Sequence, residues 1–247
     1  MKFIGIIPAR YASTRFPGKP LADINGKTMI ERVYEQCKKS LEHVYVATDD
    51  EKIANEVVRF GGNIVMTSRN HQSGTDRIAE AVKRIHEKSR NKFDVVINIQ
   101  GDEPFIQPQQ IEEIKSCFKD RGTEIATLVK QIEQNNDIFD PNKPKVTLDK
   151  NMYAISFSRS PIPYLRNTDQ KEWHKKHRYY RHIGMYAYKT ETLLELTNLK
   201  QSPLELAESL EQLRWIENGY KIKVTETQFD SIGIDTPEDL KKIVDYT

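Results

Sequence analysis

Residues 3–21, FIGIIPARYASTRFPGKPL, set the reading of the whole chain. Phe3-Ile4-Gly5-Ile6-Ile7 is an apolar, β-rich run that passes straight into a loop carrying Arg10, Arg15 and Lys19. No Asp or Glu occurs among residues 1–22, and Pro17, Gly18 and Pro20 restrict the backbone of the loop. A short apolar run without alternation reads as a buried strand. Open parallel sheets bind ligands beyond the carboxyl ends of their strands, so a firmly held basic loop at that position predicts an anion site. A solvated basic loop is the competing reading.

Outward from this stretch, strands and helices alternate. Residues 28–40 show helical spacing through Met29, Ile30, Val33 and Cys37, and 43–48 (HVYVAT) reads as the next strand. Ile53, Ala54, Val57 and Val58 mark a second helix, 63–66 a short strand, and Ile78, Ala81, Val82 and Ile85 one face of a helix over 77–87. A strand over 94–100 and a helix near 108–119 follow. This alternation predicts an α/β fold, with a mostly parallel sheet and helices on both faces.

After about residue 122 the rhythm changes. Residues 125–129, 145–148, 153–158 and 183–188 read as strands with few helices between them. The expectation is one domain over 1–247, with 123–200 as a smaller antiparallel, β-rich region for substrate or dimer contacts. The basic, aromatic stretch 164–181, YLRNTDQKEWHKKHRYYR, reads as a mobile loop. A helix over 203–218 is expected, opened by the capping box Ser202-Pro203-Leu204-Glu205 and closed by Gly219. A last helix starts at Pro237, where Glu238 and Asp239 suit its positive end.

Composition narrows the classes. Lys+Arg 38 against Asp+Glu 36 leaves a net charge of +2 over 247 residues, so no global field points to nucleic acid or an anionic membrane. Cys37 and Cys117 are too far apart in sequence to suggest a disulfide framework or a metal site. No apolar run approaches the roughly 20 residues that span a bilayer. With a strand-like start and no signal peptide, a soluble cytoplasmic protein is expected.

Two further loops follow predicted strands. In HQSGTDR (71–77), Ser73, Gly74 and Thr75 stand at a helix start, where free N–H groups and the dipole favour anions; simple N-capping is the alternative. In QGDEP (100–104), Gly101 permits a turn while Asp102 and Glu103 offer the hard oxygens that a nucleotide-bound Mg²⁺ takes; a solvated acidic turn is the alternative. Gly26-Lys27-Thr28 does not complete a Walker A loop, because position 21 is Leu, and no GxGxxG follows the first strand. Any phosphate loop here works through side-chain cations.

IPARYASTRFPGKPLADI, HQSGTDR, NIQGDEPFI, SFSRSPIPY, YRHIGMYAY, LEQLRWIENG and GIDTPEDL stand in this order along the chain. In these motifs the sequence resembles the 3-deoxy-manno-octulosonate (KDO) cytidylyltransferases, also called CMP-KDO synthetases, over essentially its whole length. The stretch 164–181 is the clearest departure. The resemblance implies a Rossmann-like nucleotidyltransferase fold, a homodimer in a Gram-negative cytoplasm, and transfer of CMP from CTP to KDO for lipopolysaccharide assembly. It implies that Arg10 and Lys19 bind the triphosphate, with Ser13 and Arg15 shaping that loop, and that Ser73, Gly74 and their neighbours line the nucleotide site. Asp102 and Asp235 would hold Mg²⁺, while Gln100, Arg159, His182, Tyr186 and Glu211 would contact the sugar acid. Without the resemblance, Asp235 reads as a cap-region acid, His182 as a core histidine and Glu211 as a solvated acid.

Charge makes such a set necessary. A carboxylate-bearing acceptor must approach a triphosphate, and at 5 Å with an effective dielectric near 20 each like-charge pair costs about 3 kcal/mol. Mg²⁺ with Arg and Lys could offset that sum as the anomeric hydroxyl attacks the α-phosphorus in line. Rival readings are a cytidylyltransferase for sialic acid or 8-amino-KDO, and a hexose-1-phosphate nucleotidyltransferase. The last typically starts G-x-G-T-R, where this chain has Tyr11-Ala12-Ser13 before Thr14-Arg15. A non-enzymatic RNA- or scaffold-binding protein using 174–181 is the rival from another class.

Overall fold

The computed structural model describes residues 1–12, 15–89 and 92–244. The chain divides into two compact units. The first comprises 1–112, 187–197 and 231–247; the second comprises 113–186 and 198–230.

The first unit opens with β1 (Phe3–Ala9), whose Ile4, Ile6 and Ile7 are fully buried. The two-residue arms β2 (Asp23–Ile24) and β3 (Lys27–Thr28) form a hairpin. Its turn residues Asn25 and Gly26 both have positive φ, as a tight two-residue hairpin requires. Gly26-Lys27-Thr28 is thus hairpin and not a phosphate loop, and Lys27 pairs with Glu35. α1 (Met29–Lys38) is capped by Thr28, then come β4 (Val44–Thr48) and α2 (Glu51–Arg59), the latter capped by Asp50. β5 (Asn63–Met66), α3 (Gly74–Lys88), β6 (Val95–Asn98) and α4 (Pro108–Ser116) complete this stretch. The strands lie in the order β5-β4-β1-β6 and every pair is parallel. The chain winds one way from β1 to β4 and β5, then returns to place β6 on the other side of β1. The gap between β1 and β6 is therefore the topological switch point, where carboxyl-end loops diverge and leave a crevice.

The second unit holds β7 (Ile125–Gln131), α5 (Asn135–Phe139), β8 (Lys145–Leu148) and β9 (Ala154–Ser158). α6 (Trp173–Lys176) and most of β10 (Tyr180–Lys189) follow. The end of β10 belongs to the first unit, as does α7 (Thr190–Leu196), whose Thr190 bonds the carbonyls of Phe93 and Asp94. α8 (Pro203–Glu208), α9 (Gln212–Glu217) and β11 (Ile222–Glu226) return to the second unit. β7 lies between β11, which is parallel to it, and β10; β8 pairs antiparallel with β10 and β9. α10 (Pro237–Val244) ends the described chain in the first unit.

The fold is α/β as expected, with three local differences. Stretch 164–181 is not a free loop: Trp173 is 1% exposed and packs with Ile132, Ile138 and Tyr179, and its indole N–H donates to the Thr168 carbonyl. Three of its cations are paired, Lys175 with Glu172, Arg178 with Glu226 and Arg181 with Asp230. The helix over 203–218 is two helices, because Ser209 adopts a left-handed backbone between them. β11 was not anticipated; its Ile222 and Val224 are buried and alternate with half-buried Lys223 and Thr225. Cys37 and Cys117 are free and buried, burial raising both thiol pKa values, that of Cys117 to about 11.

Candidate active site

The crevice at the switch point is lined by the loops that leave β1 and β6, by the start of α3 and by Asp235. Every one of these residues belongs to the first unit. Arg10, Arg15, Lys19, Ser73, Gly74, Gln100, Asp102 and Asp235, all singled out from sequence, meet there. Ser13 lies outside the described residues.

Lys19 sits where the β1 loop tightens. Gly18 takes a positive φ of 72°, its N–H bonding the Tyr11 carbonyl at 3.0 Å, and a 3-10 turn over Lys19–Leu21 follows. The Lys19 ammonium donates to Asp102 Oδ2 at 2.6 Å and to Asp235 Oδ1 at 3.3 Å. Arg15 Nη2 reaches the same Asp235 oxygen at 3.3 Å. The side chain of Lys19 is 15% exposed, that of Asp102 30% and that of Asp235 49%, so the cluster is open to an incoming ligand.

Two devices bring the carboxylates to one point. Gly101 lets the β6 loop pass close to the Pro8 carbonyl. The Ile234 amide donates to the Asp102 carbonyl at 2.9 Å, and buried Ile234 packs on Ile24 and Met29. Asp235 follows Ile234 directly. It is not the cap of α10: Asp239 accepts from the Thr236 amide and hydroxyl, and Thr236 accepts from the Asp239 amide. That reciprocal box leaves the Asp235 carboxylate to face the cations.

At α3, Ser73 performs the capping role. Its hydroxyl accepts from the Asp76 amide at 3.1 Å, and Asp76 in turn accepts from the Ser73 amide at 3.3 Å. The first turn of α3 still borders the crevice, with the positive end of the helix dipole towards it. Arg77 and His71 also line the crevice and were not picked out from sequence. Arg77 is buried, donating to Thr67 at 2.7 Å and pairing with Asp49 at 3.4 Å. His71 is held by Glu80, which also binds the Ser68 amide and Arg84. Burial opposes the charge on Glu80, but these donors hold its carboxyl below the usual range. Both residues lie within HQSGTDR; their placement depends on side-chain partners at 49, 67 and 80, which the local pattern does not reveal.

Arg159, His182, Tyr186 and Glu211 belong to the second unit. Arg159 donates to the carbonyls of Glu208 (2.7 Å), Pro141 (2.9 Å) and Ser209 (3.4 Å). His182 stands between the rings of Phe157 and Tyr186, and its Nε2 is 3.0 Å from Thr127 Oγ1. The Thr127 hydroxyl also lies 2.8 Å from the Met185 carbonyl, to which it donates, so Nε2–H must be the donor to Thr127. Desolvation pushes the imidazole pKa down to about 3, so the ring is neutral at physiological pH. Tyr186 is buried against Trp215, and Glu211 stands 3.7 Å from Arg214, which is forked onto Glu205.

Among the described residues no group of three or more His, Cys, Asp or Glu could hold a metal ion. The two carboxylates that converge on Lys19 match instead the donor set Mg²⁺ uses when substrate phosphates and water supply the rest.

Comparison with known proteins bears on the whole chain. A family model described as Cytidylyltransferase matches residues 4–222. A 3-deoxy-manno-octulosonate cytidylyltransferase of Parabacteroides distasonis is 61% identical, the match covering 100% of this chain and 98% of the relative. One of Bacteroides thetaiotaomicron is 59% identical over the same shares. A solved CMP:2-keto-3-deoxy-manno-octonic acid synthetase complexed with CTP superposes with a TM-score of 0.91 at 40% identity, covering 100% of this chain and 98% of that one.

Proposed function

This chain belongs to the family of 3-deoxy-manno-octulosonate cytidylyltransferases, and from that membership we infer how its side chains divide the work. The enzyme transfers a cytidylyl group from CTP to 3-deoxy-manno-octulosonate and releases pyrophosphate. The observation that carries the division of labour is the convergence of Asp102 and Asp235 on one ammonium at the switch point.

Arg10, Arg15 and Lys19 hold the triphosphate, and Ser73 and Gly74 set the helix start beside the nucleotide. Asp102 and Asp235 would hold Mg²⁺, which would supply Lewis acidity and charge neutralisation. Lys19 then exchanges its two carboxylate partners for phosphate oxygens and stabilises charge on the departing pyrophosphate. Gln100, Arg159, His182, Tyr186 and Glu211 take the sugar acid. Arg159 pairs with its carboxylate, and neutral His182, having spent Nε2–H on Thr127, offers Nδ1 as an acceptor for a sugar hydroxyl. The whole chain acts as one nucleotidyltransferase domain, its β-rich subregion 123–200 serving substrate and dimer contacts, in a cytoplasmic homodimer. The resemblance implies the cytoplasmic homodimer; separately, none of the helices in the described residues is long and apolar enough to cross a membrane.

Pyrophosphate release tests the reading, with CTP against other nucleotides and KDO against 8-amino-KDO and sialic acid. Turnover with CTP and KDO is expected. Asp102→Asn should lower it by at least ~100-fold, because metal Lewis acidity contributes several kcal/mol, with the unfolding transition preserved. Turnover with sialic acid alone would reassign the substrate. Full activity in the variant would remove Asp102 from the metal site.

A further inference from the structure

Lys145 is fully buried on β8, and the division of labour above gives it no task. In register it lies opposite Ser158 on β9 and Arg181 on β10. An ammonium in a core is costly unless it is paired and hydrogen-bonded, and an apolar side chain of similar volume would fill the space at no such cost. Its surroundings point to what it does. Lys145 Nζ donates to the Asp140 carbonyl at 2.7 Å, and the next carbonyl, that of Pro141, accepts from Arg159 Nη1 at 2.9 Å. Glu208 closes the cluster: its carboxylate accepts from the Arg159 amide at 2.9 Å and from the Ser158 hydroxyl at 2.6 Å, and its carbonyl accepts from Arg159 Nε. Burial lowers the Lys145 pKa, while the charges of Asp140 and Glu208 oppose that and nearby Arg159 adds to it. The two cations thus share one acidic neighbour and one turn.

A guanidinium has five N–H groups, one on Nε and two on each Nη. Among the described residues, the contacts to Glu208, Pro141 and Ser209 engage one on each nitrogen and leave one N–H on each Nη. Two such groups match the two oxygens of a carboxylate. Their direction depends on where the 140–141 carbonyls stand, and Lys145 fixes the first of those.

We propose that Lys145 is a positioning residue: by pinning the Asp140 carbonyl it holds the Pro141 carbonyl, and through it the Arg159 guanidinium, in the orientation that receives the carboxylate of the sugar acid. The inference rests on the reading of Arg159 as the carboxylate ligand. Lys145 touches no substrate. It works by removing the freedom of the turn whose Pro141 carbonyl accepts from Arg159.

A double-mutant cycle on the full-length enzyme, with KDO and CTP varied separately, tests it. Lys145→Met should raise the KM for KDO by about tenfold, the size of loss usual when a partner behind a ligating group is removed. The KM for CTP should stay within about twofold, and the effect on KDO should vanish in an Arg159→Ala background, since coupled residues are non-additive. Should Lys145→Met fail to fold, Lys145→Gln, which keeps a donor for the Asp140 carbonyl while removing the charge, is measured instead: it should hold the KM for KDO within about twofold of wild type, and a tenfold rise in it would overturn the inference. An unchanged KM for KDO in Lys145→Met, or a rise that persists in the Arg159→Ala background, overturns the inference. An unchanged KM for KDO in Arg159→Ala alone overturns instead the reading of Arg159 on which it rests.

Discussion

A Cβ built on Gly101 would lie 3.0 Å from the Pro8 carbonyl oxygen and 3.4 Å from Ile7 Cγ2, and neither can move without shifting β1. The residue that follows is Asp102, so Gly101→Ala should displace that carboxylate from Lys19 with little effect on the core. A misplacement near 1 Å is worth ~100-fold in rate, and a drop of that order in kcat with an unfolding midpoint near wild type is expected. His182 sets a second expectation. Its pKa falls from the ordinary 6.5 to about 3, so between those values the unfolded chain binds a proton that the folded chain does not. The stabilisation is complete above pH 6.5 and is lost as the pH falls towards 3. His182→Gln, which keeps a donor for Thr127 and does not titrate, should therefore lose less stability than wild type between pH 7 and pH 4 in urea unfolding.

At the scale of elements, Trp173 separates the expectation for 164–181 from the structure. Polar and basic residues dominate that stretch, and composition alone reads as loop. One indole stacked parallel to Tyr179 at 6.0 Å and closed over by Phe139 makes it part of the second unit's core. Trp173→Ala should cost about 3–5 kcal/mol in denaturant titration, the range for emptying a large aromatic site, where a free loop would register almost nothing. The first-unit elements were legible because their signals are local: apolar runs for β1 and β6, and 3.6-residue spacing for α1 and α3. Less legible were features fixed by distant partners. The left-handed Ser209 that splits α8 from α9 carries no glycine signal, and β11 draws its partner strand β7 from nearly a hundred residues away. For the same reason Arg77 and His71 went unnoticed while the loop that contains them was recognised.

Across the whole molecule, a net charge of +2 hides strong local organisation, because acids and bases are matched cluster by cluster. Which residues met in the crevice could be anticipated only by combining segments near 10–19, 73, 100–102 and 235, and family motifs supplied that combination where spacing could not. Physical reading of the residues alone reached an anion loop and an acidic rim; it did not single out Asp235, whose role depends on Thr236 and Asp239 capping α10 in its place.

The Lys19 bridge has a consequence for the ligand-free enzyme. With Lys19 and Arg15 set against Asp102 and Asp235, the site already carries its own counter-ions. On the proposed division of labour, binding there would be an ion exchange: a free divalent ion would have to evict a tethered ammonium, and the nucleotide would give that ammonium somewhere to go. In thermal scans, MgCl₂ or a chelator alone should leave the melting temperature where it was. CTP and Mg²⁺ together should raise it, by roughly 2.7 kcal/mol of stability at a hundredfold excess over Kd. A shift with the metal alone would mean that the two carboxylates do not wait for CTP.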